Sequence, residues 1–259
     1  MGKIVSIHSF RGGTGKSNLS ANLAAQVAML GKKVGVIDTD IQSPGIHVLF
    51  GLTPEKMGRT LNEFLRSECT IEEAAVNVGD HAAPEPGLSH LRGKQLFLVP
   101  SSIDGQEIAA VVRDGYDVNR LNAGLQTMLK SLKLDYLFID THPGLNEETL
   151  LSVAISDMLI IILRPDQQDF QGTAVTVDVA RRLDVPNLRL VVNKALTRYD
   201  FDQVKQQVEE IYKAPVVGVL PLTEDMADMG SADIFSLRHP DHPWSKTIRA
   251  VAQNVLDMA

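Results

Sequence analysis

Seven short runs of aliphatic residues, separated by stretches with helical spacing, constrain the fold of this chain more than any other feature. They are residues 4–9, 33–38, 95–100, 136–140, 158–164, 188–193 and 216–221. Continuous apolar runs indicate strands that are covered on both faces, and the intervening segments indicate parallel strands joined by right-handed crossovers. The pattern predicts an α/β protein with a doubly wound, mainly parallel sheet flanked by helices.

The rest of the chain adds no sign of a second domain. The least regular stretch is GDHAAPEPGLSHLRGK, residues 79–94, which predicts a surface loop and is short for an interdomain linker. At 259 residues the chain is long enough to bury a substantial core in one unit. We therefore expect a single domain over residues 1–259.

Composition and charge narrow the class of protein. The chain is 44% hydrophobic and 22% charged, as in ordinary soluble globular proteins, and its formal net charge of −7 does not suit a protein that is basic over its whole surface. Its longest apolar run has six residues, far below the roughly 20 of a membrane span. With one cysteine, Cys69, and no secretory signal pattern, it is expected in the cytoplasm.

A glycine-rich segment, RGGTGKS at residues 11–17, follows the first predicted strand and leads into the first helix. Small residues there let successive N–H groups point at phosphate oxygens, and a helix N-terminus favours anions. Lys16 would reach the β- and γ-phosphates and the Ser17 hydroxyl would bind Mg²⁺, although the pattern G-x-x-x-x-G-K-[ST] has glycine where this chain has Phe10. The alternative is a glycine-rich turn without a ligand. The predicted nucleotide contacts are Gly12, Gly13, Thr14, Gly15, Lys16, Ser17 and Asn18.

Three aspartates follow the ends of predicted strands. Asp38 and Asp40 lie in VIDTDIQSPG and share one side of an extended chain, while Asp140 ends the run YLFID. In open α/β sheets a ligand lies at the carboxyl ends of the strands, where carboxylates can hold Mg²⁺ through water and orient an attacking water. The alternative for Asp38 and Asp40 is that both cap the following helix.

Together these motifs resemble those of the MinD/ParA family of deviant Walker A P-loop ATPases, and the resemblance covers nearly the whole chain. The family's loop, K-G-G-x-G-K-[ST], is matched by residues 11–17 except that Arg11 stands at the first lysine. Two further motifs are matched, D-x-D-x-Q by Asp38, Asp40 and Gln42, and D-x-x-P-G by Asp140, Pro143 and Gly144.

The resemblance implies a function and a set of partners. It implies an ATPase that uses ATP and Mg²⁺, forms an ATP-sandwich homodimer and hydrolyses ATP slowly when a partner stimulates it. Such proteins cycle on and off a surface and so position or partition a cargo. The implied partners are a second copy of the chain, an activating or adaptor protein and nonspecific DNA, with a membrane as the less favoured surface.

The resemblance also implies roles for particular residues. Asp40 would orient the hydrolytic water, and Asp38 and Asp140 would support Mg²⁺ together with Ser17. Asn193 would recognise adenine, and the residues just after Pro221 would lie against the base.

Arg11 occupies the position from which the family's lysine reaches the partner's phosphates. An arginine keeps the charge and adds a planar fork suited to phosphate oxygens, so Arg11 would act as a catalytic residue in trans. The alternative is that Arg11 is a solvated loop residue and that the protein is monomeric or dimerises in another way.

Other features are less specific. HPDHPW, residues 239–244, places His239 and His242 three apart, but its prolines favour a stiff loop before the last helix over a metal site. His142 would contact the γ-phosphate side or tune its loop. The sequence shows no basic cluster, although a set of cations could gather in the fold: Arg181, Arg182, Arg189, Lys194 and Arg198.

Three other functions remain at this stage. They are a P-loop synthetase or kinase acting on a small carboxylate, an iron–sulfur scaffold or reductase, and a nucleotide-binding module with little hydrolysis. The lone Cys69 argues against iron–sulfur chemistry, whereas Phe10 and Arg11 are compatible with the inactive module.

Overall fold

The computed structural model describes residues 2–81 and 84–258 and contains a single eight-stranded sheet within them. Its strands are β1 (Lys3–His8), β2 (Val34–Asp38), β3 (Val76–Asn77), β4 (Leu96–Val99), β5 (Tyr136–Asp140), β6 (Met158–Leu163), β7 (Leu188–Ala195) and β8 (Val216–Pro221). The order is β3-β4-β2-β5-β1-β6-β7-β8, and only β3 pairs antiparallel to its neighbour. The predicted doubly wound, mainly parallel sheet is confirmed.

Helices cover both faces of the sheet. They are α1 (Lys16–Met29), α2 (Ile46–Leu49), α3 (Pro54–Met57), α4 (Leu61–Leu65), α5 (Gly105–Asp114), α6 (Val118–Ser131), α7 (Glu147–Ala154), α8 (Gln167–Arg182), α9 (Phe201–Tyr212), α10 (Glu224–Asp228), α11 (Phe235–Arg238) and α12 (Pro243–Leu256). Side chains of α1 and α12 pack on one face, and those of α6, α8 and α9 pack on the other. No helix among the described residues is long and apolar enough to cross a bilayer.

Helix starts follow local sequence. Five helices begin after an acidic or amide residue whose side chain accepts N–H groups of the first turn: Asp104, Asp117, Asn146, Asp166 and Asp200. Such caps satisfy backbone donors that have no partner within the helix. The helix positions are therefore set largely by local chemistry.

The first helix is held rigidly although it contains buried amides. Asn22 Oδ1 accepts the backbone N–H of Ser236, and Gln26 Nε2 donates to the Ser236 hydroxyl at 2.9 Å. Because buried polar groups are costly unless paired, these bonds fix α1 against α11. The glycine-rich segment therefore leads into a helix whose position is fixed.

Two expectations about the fold were wrong. The two-residue β3 was missed because it is too short for a period-two pattern. The stretch 79–94 is not simply a surface loop: two 3₁₀ helices, Val78–Asp80 and Leu88–Leu91, lie at its ends, and Leu88 and Leu91 are fully buried. Two leucines three residues apart bury one face of a single turn, a signal hidden among glycines and prolines.

Candidate functional site

The loop between β1 and α1 has the backbone shape that a phosphate-binding loop requires. Gly13 and Gly15 adopt left-handed φ angles of 77° and 97°, which side chains other than glycine rarely adopt. A Cβ on Gly15 would also lie 2.5 Å from Asn193 Nδ2. Glycine is therefore needed at position 15 for conformation and for space.

Side chains from the end of β7 hold this loop. Asn193 Nδ2 donates to the Thr14 carbonyl at 2.8 Å, and Lys194 Nζ donates to the Gly13 carbonyl at 2.8 Å. With these carbonyls turned towards β7, the loop's N–H groups remain free to face an anion. Neither contact was foreseen, because the sequence links Asn193 only to a base.

A buried charge cluster lies beneath the loop. Lys16 Nζ is 3.2 Å from Asp140 Oδ1 and 3.9 Å from Asp40 Oδ2, and the Ser20 hydroxyl also donates to Asp140 Oδ1 at 3.0 Å. All four residues are buried. Asp140 Oδ2 has no hydrogen-bond partner within the described chain although it is buried. Ser20 was missed, although its position four residues after Lys16 puts both on one helix face.

Asp38 and Asp140 lie side by side on two neighbouring strands. They are directly paired positions of β2 and β5, and Asp38 accepts N–H groups from Asp40 at 3.1 Å and Gly45 at 3.2 Å. Burial, and then the charge of Asp140, raise the pKa of Asp38 to about 7. The alternative was that Asp38 and Asp40 cap the following helix. Asp38 does bind the loop before α2, but the N-cap residue of α2 is Gly45.

The residues present fit a magnesium nucleotide. Buried oxygen atoms without partners point to a polar group that the fold is built to receive, and three lie here: Asp140 Oδ2, Thr14 Oγ1 and Asn18 Oδ1. Among the described residues no three His, Cys, Asp or Glu side chains form a metal cage. In nucleotide sites, phosphates and waters supply most of the ligands of Mg²⁺.

The segment after Asp140 is tied to β1. Gly144 N donates to the Ser9 carbonyl at 3.2 Å. The Thr141 hydroxyl donates to the Ile7 carbonyl at 3.0 Å, so His8 Nδ1 donates to Thr141 Oγ1 at 2.8 Å. Burial, and then the nearby charge of Lys16, lower the pKa of His8 to about 3, so His8 is neutral. His8 is a site residue that no sequence motif indicated.

Arg11 and Phe10 contact α8 of their own chain. Arg11 Nη1 donates to Gln168 Oε1 and lies 3.8 Å from Asp169 Oδ1, while its side chain stays 41% exposed. Phe10 packs against Gly172, where an added Cβ would lie 2.1 Å from the phenylalanine ring. The residue that departs from the loop pattern therefore has a packing role, and Arg11 is not simply solvated.

The residues expected to contact a base line one cavity of about 230 Å³ beside the loop. These residues are Asn193, Pro221 and Leu222, and the cavity is also lined by Gly15, Asn18, Lys194 and Trp244. Pro221 ends β8, and Trp244 lies in the first turn of α12. Asn193 and Pro221 come from the neighbouring strands β7 and β8, and their contact with a base stays a prediction.

Two further sequence features are the HPDHPW segment and the five scattered cations. His242 starts α12 by accepting the Trp244 N–H at 3.1 Å. Three of the five cations have partners in different places: Lys194 holds the phosphate loop, Arg181 donates to the Tyr212 carbonyl, and Arg182 pairs with Asp178 at 2.8 Å.

A different basic cluster was missed. Four lysines, Lys3, Lys32, Lys130 and Lys133, line a recess of about 460 Å³ together with Asp135. We call it the lysine recess. It lies where β1 and β5 begin, on the sheet edge opposite the phosphate loop. No spacing rule could predict it, because its residues are far apart in the sequence.

The fold and the site define a nucleotide-binding P-loop protein of the doubly wound α/β class. Residues 2–192 match a family model described as an AAA domain. The chain belongs to that family and is a P-loop ATPase of the MinD/ParA type.

Two relatives illustrate its range. The septum site-determining protein MinD of Synechocystis sp. is 28% identical over 229 residues, covering 85% of this chain and 76% of that protein. An iron–sulfur cluster carrier protein of Aquifex aeolicus is 24% identical over 267 residues, covering 96% and 66%.

Solved structures share the fold. MinD of Pyrococcus horikoshii OT3 complexed with Mg-ADP has a TM-score of 0.81 at 18% identity, covering 100% of this chain and 97% of that one. A ParA family ATPase from Chlorobium tepidum has a TM-score of 0.76 at 16% identity, covering 98% and 99%.

Proposed function

We propose that this chain is an ATP-dependent dimerising switch of the MinD/ParA type, which positions or partitions a cellular cargo through a partner protein and a surface. The observation that carries the proposal is the buried cluster of Lys16, Asp40 and Asp140, in which one Asp140 oxygen has no partner among residues 2–81 and 84–258. Burial of such a charge cluster costs free energy, and binding of a charged ligand can offset that cost.

Each residue has a role on this proposal. Lys16 exchanges Asp140 for the β- and γ-phosphates, which the N–H groups of residues 12–18 cradle. Ser17, Asp38 and Asp140 would hold Mg²⁺, partly through water, and the bound ion would supply positive charge beside the phosphates. Asp40 orients the attacking water, and its Oδ1 is fixed by the Ser43 hydroxyl at 2.9 Å. Asn193 and the chain after Pro221 contact the adenine.

Arg11 acts across the dimer on this proposal. Its contact with Gln168 is on the surface and therefore weak, so the guanidinium can exchange it for a phosphate of the second subunit. The planar fork of arginine then stabilises charge that develops during phosphoryl transfer.

The lysine recess favours nonspecific DNA as the surface to which this protein binds. The lysine recess brings four cations together in a chain whose net charge is −7, so these lysines can attract phosphates locally. It lies on the edge opposite the nucleotide, where binding to DNA would leave the dimer face free. An adaptor protein completes the cycle on this proposal, which places the protein in the cytoplasm; one structurally similar protein is described as a MinC:MinD cell division protein complex.

The iron–sulfur function of some relatives is not favoured here. Cys69 is the only cysteine of the chain and belongs to the group packed around α4 to α6, away from the phosphate loop. A cluster needs several thiolates.

Binding and turnover separate the proposed switch from its alternatives. We expect a fluorescent ATP analogue to bind wild type and Asp40→Ala alike, Lys16→Ala to lose binding, and only wild type to release phosphate. Equal phosphate release by Asp40→Ala would contradict the role of Asp40. Binding without hydrolysis in wild type, even with excess DNA, would indicate the inactive nucleotide-binding module.

A further inference from the structure

His142 lies beside Asp40, the residue proposed to orient the attacking water. Its Nδ1 lies 2.6 Å from the Pro143 carbonyl, an acceptor only, so Nδ1 carries the proton. Nε2 is the ring nitrogen that is left to face the site. Nε2 lies 3.8 Å from Asp40 Oδ1.

The gap between His142 Nε2 and Asp40 Oδ1 has the size of a bridging water. A separation of 3.8 Å is too long for a direct hydrogen bond, yet both atoms can lie about 2.8 Å from one water oxygen. The Ser43 hydroxyl, which donates to the same Asp40 oxygen at 2.9 Å, fixes that oxygen in place. The other oxygen of Asp40 faces Lys16, which marks the side of the phosphates.

We propose that His142 is a positioning residue for ATP hydrolysis, which holds the attacking water jointly with Asp40. The inference rests on the proposed function and names a residue that the family motif leaves open. The water oxygen bonds to the γ-phosphorus while the bond from that phosphorus to the bridging oxygen breaks. The electron pair leaves with ADP, and the water's proton passes to a γ-phosphate oxygen, so Asp40 and His142 keep their charge.

The backbone at His142 is held independently of its ring. The Thr149 hydroxyl donates to the His142 carbonyl at 3.2 Å, and Asn146 caps α7 through the Thr149 N–H. Removal of the imidazole therefore leaves the loop anchored. This separates the loss of a water contact from the loss of the loop.

Steady-state hydrolysis with His142→Ala and His142→Gln tests the proposal. For the alanine variant we expect kcat to fall about 10- to 100-fold, since a misplaced reactant costs rates of this order, while KM and the affinity for a non-hydrolysable analogue change less than about twofold. Glutamine restores an acceptor and should recover part of kcat, as should added imidazole with the alanine variant. The exposed His90, changed to alanine, is the matched control and should leave kcat unchanged.

A double-mutant cycle with Asp40→Asn decides whether both groups hold one water. If they do, the double variant is about as slow as the slower single variant. Loss factors that simply multiply, or wild-type kcat in His142→Ala, would overturn the inference while leaving the proposed function intact. Wild-type protein that never hydrolyses ATP would instead overturn the proposed function itself.

Discussion

Asp38 shows how closely the fold packs charge at this site. It is buried at the end of β2 with Asp140 on the neighbouring position of β5, and the two cannot both ionise without cost. Two backbone N–H groups offset part of that cost. In the free protein the two close carboxyl groups therefore lower the stability, and the same pair is placed to bind a cation.

The raised pKa of Asp38 predicts a pH dependence of stability. The unfolded carboxyl loses its proton near pH 4 and the folded one near pH 7, so between these values the folded state binds more protons. Stability from this group is therefore lost as the pH rises from 4 to 7. Urea unfolding of nucleotide-free protein at several pH values should show this loss as a difference between wild type and Asp38→Asn.

The comparison with Asp38→Asn is needed because His8 has the opposite effect. Because the pKa of His8 in the folded state is about 3, its contribution to the stability of the protein is lost as the pH falls from 6.5 towards 3. The two slopes overlap in wild type, and only the difference isolates Asp38. A wild-type and an Asp38→Asn profile that run parallel from pH 4 to 7 would contradict the raised pKa.

Gly15 gives a second prediction for a single residue. Gly15→Ala forces a positive φ on alanine and pushes against Asn193 Nδ2, so we expect a loss of about 1–3 kcal/mol in the free energy of unfolding. ATP binding should weaken as the contact from Asn193 to Thr14 breaks. Gly12→Ala is the control for stability, since open space surrounds its Cβ position. Equal stability losses in both variants would show that the Asn193 contact is not decisive.

At the scale of elements, strands that are buried on both faces could be predicted and marginal elements could not. The runs that became β5 and β6 are buried throughout and apolar except for Asp140 at the end of β5, so their sequence predicts buried strands. β3 has two residues and owes its place to pairing with β4. The turn at Leu88–Leu91 is set by packing onto the core, which no local pattern reveals.

The contact between the phosphate loop and α8 sets a prediction for dimer formation. If Arg11 must leave Gln168 to reach a second subunit, Gln168→Ala should tighten the ATP-dependent dimer two- to fivefold, about 0.5–1 kcal/mol. Gln171→Ala, exposed on the same helix, is the matched control. Sedimentation equilibrium with ATP measures both. A weaker dimer in Gln168→Ala alone would mean that Gln168 holds Arg11 in its active position.

At the scale of the whole molecule, the site could be predicted where each residue follows a strand. Lys16, Asp38, Asp140 and Asn193 converge because parallel strands end at one edge. The lysine recess could not be predicted, since it depends on which strands are neighbours and on residues from four separate segments. The contact of Arg11 with α8 was hidden for the same reason.

The lysine recess predicts how DNA binding responds to salt. Three exposed lysines changed together, Lys32→Gln, Lys130→Gln and Lys133→Gln, should weaken binding to random-sequence duplex and lower the slope of log K against log salt by about one per lysine. ATP hydrolysis without DNA should not change.

The control carries the same change of charge elsewhere. Lys56→Gln, Lys205→Gln and Lys246→Gln alter three exposed lysines on other surfaces and should keep most of the affinity and the slope. Equal losses in both triple variants would indicate a diffuse charge effect. Wild type that binds anionic vesicles but not DNA would assign the surface to a membrane.

We expect ATP to join two copies of this chain, and the molar mass in solution shows directly whether it does. Light scattering of Asp40→Ala, which should bind ATP without turning it over, is expected to give twice 28.3 kDa with ATP and 28.3 kDa with ADP. Adding Arg11→Ala should return the mass with ATP to 28.3 kDa while ATP still binds. An Asp40→Ala protein that is saturated with ATP and yet keeps the mass of one chain would contradict the account.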